Sequence, residues 1–162
     1  MQKAWLLLLF GIVLPAHACW QDAAARYGID ARLLYAIAQQ ESSLDPQAIN
    51  RSHAERTGSV DVGLMQVNSR WLPVLARHGI READLLEPCT NLRVGAWILA
   101  QNFQRYGATW EAVGAYHAGC TQLRPNECAV TRARYATAVF HHLQGVASRA
   151  PAQAPPSHST TH

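Results

Sequence analysis

The sequence predicts a single all-α, or α-rich, domain with little or no strand. A chain of 162 residues is long enough to bury one core of substantial size. Apolar residues recur at helical spacing in roughly five to seven short segments, while alternation of apolar and polar residues is confined to one short stretch. Many short helices without a run of strands favour the packing of helix against helix.

The first residues predict a signal peptide over residues 1–18. Lys3 supplies a positive charge, Ala4–Leu14 is a short apolar run, and Ala16–Ala18 has the small-residue form of a cleavage site. The run is short for a membrane span, which makes an uncleaved anchor the less favoured alternative. Cleavage would place Cys19 first in the mature chain. The residues before it lack the leucine of a lipoprotein signal, so we expect no lipid anchor on Cys19.

The second predicted helix carries the most informative residue, Glu41. Asp30 is a good N-cap for this helix, which has to stop before Pro46 because proline cannot continue it. Leu34 and Ile37 form an apolar stripe that Glu41 continues. Burial of a carboxyl favours its protonated form, so this position suits a proton donor. Spacing alone leaves open the alternative that Glu41 is turned into solvent at the helix end.

The other elements are predicted from caps, spacing and turn residues. In chain order they are a helix over Cys19–Tyr27, a mobile polar loop over Asn50–Ser59, an extended or turn segment over Val60–Asn68, a brief helix over Trp71–His78, a long helix over Thr90–Tyr106, a helix from Trp110 into Ala115–Gly119, and a last helix carrying Tyr135, Val139 and Leu143. From Gly145 the chain is poor in large apolar residues. This predicts a disordered tail over residues 145–162 and a folded domain over residues 19–144.

The four cysteines of the exported chain predict disulfides. Three connectivities are possible for Cys19, Cys89, Cys120 and Cys128. A local bridge between Cys120 and Cys128, across a polar loop, is the natural choice and leaves Cys19 to pair with Cys89. A zinc site is the competing interpretation, but the chain has no C-x-x-C pair. The histidines are not spaced into a metal cluster either, so we expect no metal and no cofactor.

The charge of the chain restricts its partners. A formal net charge of +3 without a basic run argues against a dedicated nucleic-acid binder. It suits a polyanionic partner such as a bacterial cell wall. No phosphate-binding glycine loop and no Ser/His/Asp arrangement is evident.

Three separated motifs, taken in order, resemble a known family. They are Glu41-Ser42, the segment Gly63–Asn68 (GLMQVN) and the segment Ala115–Gly119 (AYHAG). The set is similar to the lysozyme-like lytic transglycosylases of the SLT type, and most similar to small exported members that accompany secretion, pilus and conjugation machinery. The resemblance covers about Cys19 to Leu143. The departures from the family pattern are His117, where the family usually has Asn, and the cysteines around the following loop.

The resemblance implies a reaction and a compartment. Glu41 matches the single catalytic acid/base, which would protonate the glycosidic oxygen and then take a proton from the sugar's C6 hydroxyl. The MurNAc–GlcNAc β-1,4 bond of peptidoglycan would be cleaved with a 1,6-anhydro-MurNAc end. Tyr135 falls where a tyrosine hydrogen-bonds the catalytic glutamate, with core packing as its alternative. The resemblance thus implies a periplasmic protein that acts on glycan strands, with components of an envelope-spanning secretion or pilus apparatus as further partners.

The resemblance also implies six substrate-binding residues: Ser42, Gly63, Met65, Gln66, Tyr116 and His117. Gly63 would let the backbone approach the glycan, Met65 would give an apolar floor, and Gln66 would hydrogen-bond acetamido groups. Met65 and Tyr116 have core packing as the alternative. Ser42 has the alternative of satisfying backbone carbonyls at the helix end.

Asp61 opens a second interpretation. The stretch Gly58–Trp71 also resembles animal c-type lysozymes, in which an aspartate at this place is the second carboxylate. Retaining hydrolysis needs such a partner for the acid, so a muramidase using Glu41 and Asp61 is the alternative enzyme. We expect Asp61 to be auxiliary. A wall-binding assembly component with vestigial activity is the alternative outside enzymes.

Overall fold

The computed structural model describes residues 16–121 and 123–149. Most of the predicted signal peptide and the final residues of the predicted tail lie outside this range. Within it, none of the helices is both long enough and apolar enough to cross a membrane.

The described part of the chain is mainly helical, as predicted. Its α-helices are α1 (Ala16–Tyr27), α2 (Ala31–Ser42), α3 (Ala54–Thr57), α4 (Leu72–Leu75), α5 (Pro88–Tyr106), α6 (Trp110–His117) and α7 (Pro125–Arg149). Short 3-10 helices cover Ser69–Trp71, Ala76–His78 and Glu82–Leu86. The strands are β1 (Ile49–Asn50), β2 (Asp61–Val62) and β3 (Val67–Asn68).

Helix α2 forms for the reasons read from the sequence. Asp30 Oδ1 accepts a hydrogen bond from the backbone N–H of Arg32 at 2.8 Å and caps the first turn. Leu34 and Ile37 are fully buried. The helix ends earlier than proline would require, because Ser43 turns left-handed (φ 55°) and its N–H satisfies the carbonyls of the last turn. Glu41 therefore lies in the final turn of α2.

Four boundaries differ from the sequence prediction. The polar loop predicted at Asn50–Ser59 contains the short helix α3. Helix α5 begins before Thr90, because the Glu87 carboxylate caps the N–H groups of Cys89 and Thr90. The helix predicted at Trp71–His78 is split between α4 and 3-10 turns. Helix α7 continues through Gly145 to Arg149, so regular structure extends past the predicted start of the tail.

The helices pack around α5 and α7. Helices α1 and α6 lie against α5, while α2 and α6 lie against α7. The buried core joins residues from α1, α2, the sheet, α5, α6 and α7. Both disulfides have the favoured pairing: Cys19–Cys89 links α1 to α5, and Cys120–Cys128 closes the loop that leads into α7.

The three strands form a small antiparallel sheet in the order β1-β2-β3. Val62 of β2 pairs with Ile49 and Val67, and Val62 and Val67 are buried. Side chains alternate across a strand, so the neighbouring residue Asp61 faces the other side of the sheet. There it stands in a polar row between Asn50 and Asn68.

Candidate active site

Glu41 and Tyr135 meet where α2 packs against α7. The phenol of Tyr135 donates a hydrogen bond to Glu41 Oε1 at 2.5 Å, which is the contact that the family resemblance implied. Burial raises the pKa of Glu41 to about 7; the bond from Tyr135 lowers it, and the charge of Asp61 raises it further. At neutral pH the carboxyl is therefore divided between its protonated and ionised forms.

Asp61 is the second carboxylate of the site. Its Oδ1 accepts a hydrogen bond from Asn68 Nδ2 at 2.7 Å, and His53 Nε2 lies 3.5 Å from its Oδ2. The negative charge of Asp61 raises the pKa of Glu41 and is also felt by Tyr116 and His117. The sheet and the ends of α2 and α6 thus meet around one group of ionisable side chains.

Two rings from α6 complete this group. Tyr116 donates its hydroxyl to the carbonyl of Met65 at 2.9 Å, and burial raises its pKa well above the ordinary tyrosine value. His117 is exposed and stacks on the ring of Tyr135, with ring centroids 4.9 Å apart and 6° between the planes. Desolvation lowers the pKa of His117, and this effect outweighs the charge of Asp61, which raises it. The neutral form of His117 is thus favoured against the ring of Tyr135.

The turn between β2 and β3 is braced from three helices. Ser42 Oγ donates to Leu64 O at 2.7 Å, while Tyr116 holds Met65 from α6. Asn91 of α5 is fully buried and makes three contacts at 2.7 Å, accepting from Met65 N and donating to the carbonyls of Val62 and Leu85. The sequence analysis did not single out Asn91. An amide on the apolar face of α5 could have indicated it, because a buried amide needs hydrogen-bond partners.

The structure places Met65 and Gly63, two of the predicted substrate contacts, in the interior. Met65 has no exposed surface, so its side chain belongs to the core and is not a floor for sugar. Gly63 has φ 77°, and a Cβ there would lie 2.3 Å from Asn91 Nδ2 and 2.3 Å from Leu85 O. The close approach of α5 and its neighbouring loop is therefore sufficient to require glycine at this position.

Ser42 and Gln66 are also committed to the protein itself. The Ser42 hydroxyl bonds to backbone carbonyls, which is the alternative that the sequence left open. Gln66 Nε2 donates to Ala48 O at 3.1 Å and to Gly63 O at 2.8 Å, so both amide hydrogens are used. Only its Oε1 remains to accept a hydrogen bond from an acetamido group.

A separate cavity of about 400 Å³ lies between α6 and α7. Trp110 and Phe140 meet edge to face there, with centroids 5.4 Å apart. By helical periodicity Phe140 projects from α7 on the side away from Tyr135. This cavity is therefore no part of the group around Glu41.

A helical domain with a small antiparallel sheet, and with one desolvated glutamate between them, has the arrangement of the lysozyme-like enzymes that cleave glycans. The sequence profile described as the transglycosylase SLT domain matches residues 18–137. The chain belongs to this family of lytic transglycosylases, as the ordered motifs predicted.

Two relatives and one solved structure show how far the similarity extends. Invasion protein IagB of Salmonella typhimurium is 45% identical over 127 residues, covering 78% of this chain and 75% of the relative. Protein IpgF of Shigella flexneri is 34% identical over 145 residues, covering 89% and 91%. The lytic transglycosylase Slt of Pseudomonas aeruginosa, solved as an inactive mutant, shares the fold with a TM-score of 0.62 at 22% identity. That match covers 84% of this chain and a quarter (25%) of the larger protein.

Proposed function

We propose that this protein is a peptidoglycan lytic transglycosylase that uses Glu41 as its only acid/base. It would cleave the MurNAc–GlcNAc β-1,4 bond and leave a 1,6-anhydro-MurNAc end. The observation that carries the proposal is the desolvated carboxyl of Glu41, held by Tyr135, with a pKa of about 7. A group that gives and then takes a proton works best when its pKa is near the working pH.

The proposed reaction needs one carboxyl in two states. Protonated Glu41 gives its proton to the glycosidic oxygen as the bond from that oxygen to C1 of MurNAc breaks. Ionised Glu41 then accepts the proton of the C6 hydroxyl as the C6 oxygen bonds to C1. The carboxyl ends as it began, and no water is consumed. The bond from Tyr135 favours the ionised state and so supports the second step.

Asp61 has an auxiliary part in this proposal. Its charge helps Glu41 keep a proton, because an ionised neighbour raises the pKa of a carboxyl. The substrate's own N-acetyl group can assist at C1, so a second carboxylate is not needed for a covalent intermediate. A hydrolytic muramidase, in which Asp61 acts at C1 and water completes the reaction, is the second candidate, favoured by the place of Asp61 in the same polar group.

Product analysis separates the two reactions. Digestion of purified peptidoglycan should give muropeptides whose MurNAc ends are 18 mass units (about one water) lighter than hydrolysed ends, because the C6 hydroxyl replaces water as the nucleophile. Mass spectrometry of the fragments is the measurement, with a c-type lysozyme digest as the reference. Reducing MurNAc ends as the sole product would show a muramidase. Absence of any fragment would favour a wall-binding component with vestigial activity.

We also propose that the enzyme opens the wall locally for an envelope-spanning secretion, pilus or conjugation apparatus. The support is the relative named an invasion protein and the motif resemblance to small members that accompany such machinery. A strain lacking this chain should assemble fewer complete apparatuses and secrete less, while keeping normal growth. Complementation with wild type, but not with the Glu41→Gln variant, should restore assembly. Unchanged secretion in the deletion strain would count against this role.

A further inference from the structure

His53 occupies an unexpected place beside Asp61. The residue immediately precedes α3, in the segment predicted as a mobile loop, and its Nε2 lies 3.5 Å from Asp61 Oδ2. The two side chains are only 19% and 21% exposed, so the pair is largely shielded from water. Asn68 contacts the other oxygen, Oδ1, from β3. The carboxylate is therefore approached on each oxygen by a different side chain.

Asn68 is itself fixed in orientation. Its Oδ1 accepts from the N–H of Arg70 at 3.0 Å, while its Nδ2 donates to Ser59 Oγ at 3.2 Å as well as to Asp61. Ser59 is buried and bonds in turn to Thr57 at the end of α3. These contacts leave the amide of Asn68 no freedom to turn away from Asp61.

Helix α3 does not depend on the imidazole of His53. It makes no side-chain hydrogen bond as the N-cap of α3. The contacts that start this helix are made by the backbone carbonyl of His53, which accepts from Arg56 N and Thr57 N. A substitution at His53 leaves these backbone bonds available and changes the side chain that lies beside Asp61.

We propose that His53 is a positioning residue which, together with Asn68, holds the Asp61 carboxylate in its place beside the catalytic group. This inference rests on the proposed function, since it concerns how the site prepares Glu41. With the carboxylate held in one position, its charge acts on Glu41 of α2 and on Tyr116 and His117 of α6. If one oxygen were released, the carboxylate would rotate into water and its field at Glu41 would weaken.

The charge state of His53 affects how strongly Asp61 acts on Glu41. A neutral imidazole, with Nε2 at 3.5 Å from Asp61 Oδ2, leaves the pair with one negative charge. A protonated imidazole cancels that charge. Asp61 then supports the protonated form of Glu41 less strongly. The ionisable groups facing Asp61 are His53, Glu41, Tyr116 and His117, and His53 is the one in ion-pair distance.

Two replacements of His53 separate positioning from bulk. His53→Phe keeps the ring volume without an N–H, while His53→Gln keeps an amide N–H that can reach the same oxygen. We expect kcat/KM to fall about 5-fold or more in His53→Phe, mainly through kcat, and to recover most of its value in His53→Gln. The exposed residue His78 offers a matched control, and His78→Phe should leave kcat/KM unchanged.

The same replacement in an Asp61→Asn background completes a double-mutant cycle. Because His53 acts through the carboxylate, His53→Phe should have no further effect once that carboxylate is gone. Asp61→Asn alone should retain measurable activity, as an auxiliary residue would. An equal loss from His53→Phe in both backgrounds would overturn the positioning role. So would a His53→Gln variant as impaired as His53→Phe.

A titration of Glu41 gives a readout independent of turnover. NMR of protein with labelled glutamate carboxyls should show the pKa of Glu41 moving below its wild-type value in His53→Phe and in Asp61→Asn, and staying close to it in His53→Gln. An unmoved pKa in folded His53→Phe would contradict the inference. If wild type releases no fragments from peptidoglycan, the proposed function fails, while the NMR result still decides the place of His53.

Discussion

Glu41→Gln is expected to abolish lytic activity, with a loss of about 10³-fold or more, because one group serves as both acid and base. The same variant should be more stable than wild type at neutral and alkaline pH. Glutamine keeps the shape of the side chain and an oxygen that can accept from Tyr135, but it carries no charge to be desolvated. A variant that loses activity and gains stability shows that the catalytic group lowers the stability of the folded protein.

The pH dependence of this gain follows from the pKa of Glu41. The group has an ordinary value of 4.5 and about 7 in the folded chain, so folding favours its protonated form. That stabilisation is complete below pH 4.5 and is lost as the pH rises through about 7. Relative to Glu41→Gln, wild type should therefore lose about 1–3 kcal/mol of unfolding free energy over this interval.

Urea unfolding at a series of pH values measures the difference. Glu82 is exposed, so Glu82→Gln provides a matched control that should change neither activity nor the pH profile. A Glu41→Gln variant that still clears peptidoglycan would remove Glu41 from the reaction. A stability difference that does not depend on pH would show that the carboxyl is solvated in the folded protein.

Asn91→Ala is expected to cost about 3–4 kcal/mol of unfolding free energy, because it leaves three backbone groups without their partner. The N–H of Met65 and the carbonyls of Val62 and Leu85 each meet the Asn91 amide at 2.7 Å. Activity should fall as well, since the turn that carries Met65 joins the strand of Asp61 to the strand of Asn68.

The same helix offers a control for this prediction. Asn102 Nδ2 is buried and has no hydrogen-bond partner among the described residues. Asn102→Ala therefore removes a buried amide nitrogen without breaking a hydrogen bond to it. We expect that variant to lie within about 1 kcal/mol of wild type. Urea denaturation with a constant m-value is the measurement. An Asn91→Ala variant as stable as Asn102→Ala would show that the brace is dispensable.

The sequence was informative wherever one local pattern decides the structure. The cap at Asp30 and the stripe through Leu34 and Ile37 placed Glu41 in the last turn of a buried helix, which the structure confirms. Thr109, a residue type that favours the N-cap position, caps α6 by accepting from the N–H of Ala112. The contact of Tyr135 with Glu41 came from the family resemblance, because no periodicity links residues 94 positions apart.

The features that could not be predicted from the sequence are contacts between segments that are far apart in the chain. A motif shows that Gly63 and Met65 matter, but it does not show that α5 presses against the turn and takes both into the interior. His53 stands in a polar, aperiodic segment, where no local pattern distinguishes a residue beside Asp61 from one in water. The surroundings of such residues are set by how distant elements pack together. A single sequence gives the residue types but not these contacts.

The bridge joins Cys19 to Cys89 across a sequence separation of 70. Both Glu41 and Asp61 lie inside the covalent ring that it closes, and Tyr135 lies outside it. In the chain-entropy view a ring of this size contributes roughly 4 kcal/mol of stability, all of it contingent on oxidation. Thiols stay reduced in the cytosol, so a newly made chain is at its weakest in the compartment of its synthesis. This share of the stability is gained only where the two thiols can oxidise, so the redox state around the chain sets how firmly the segment carrying Glu41 and Asp61 is held.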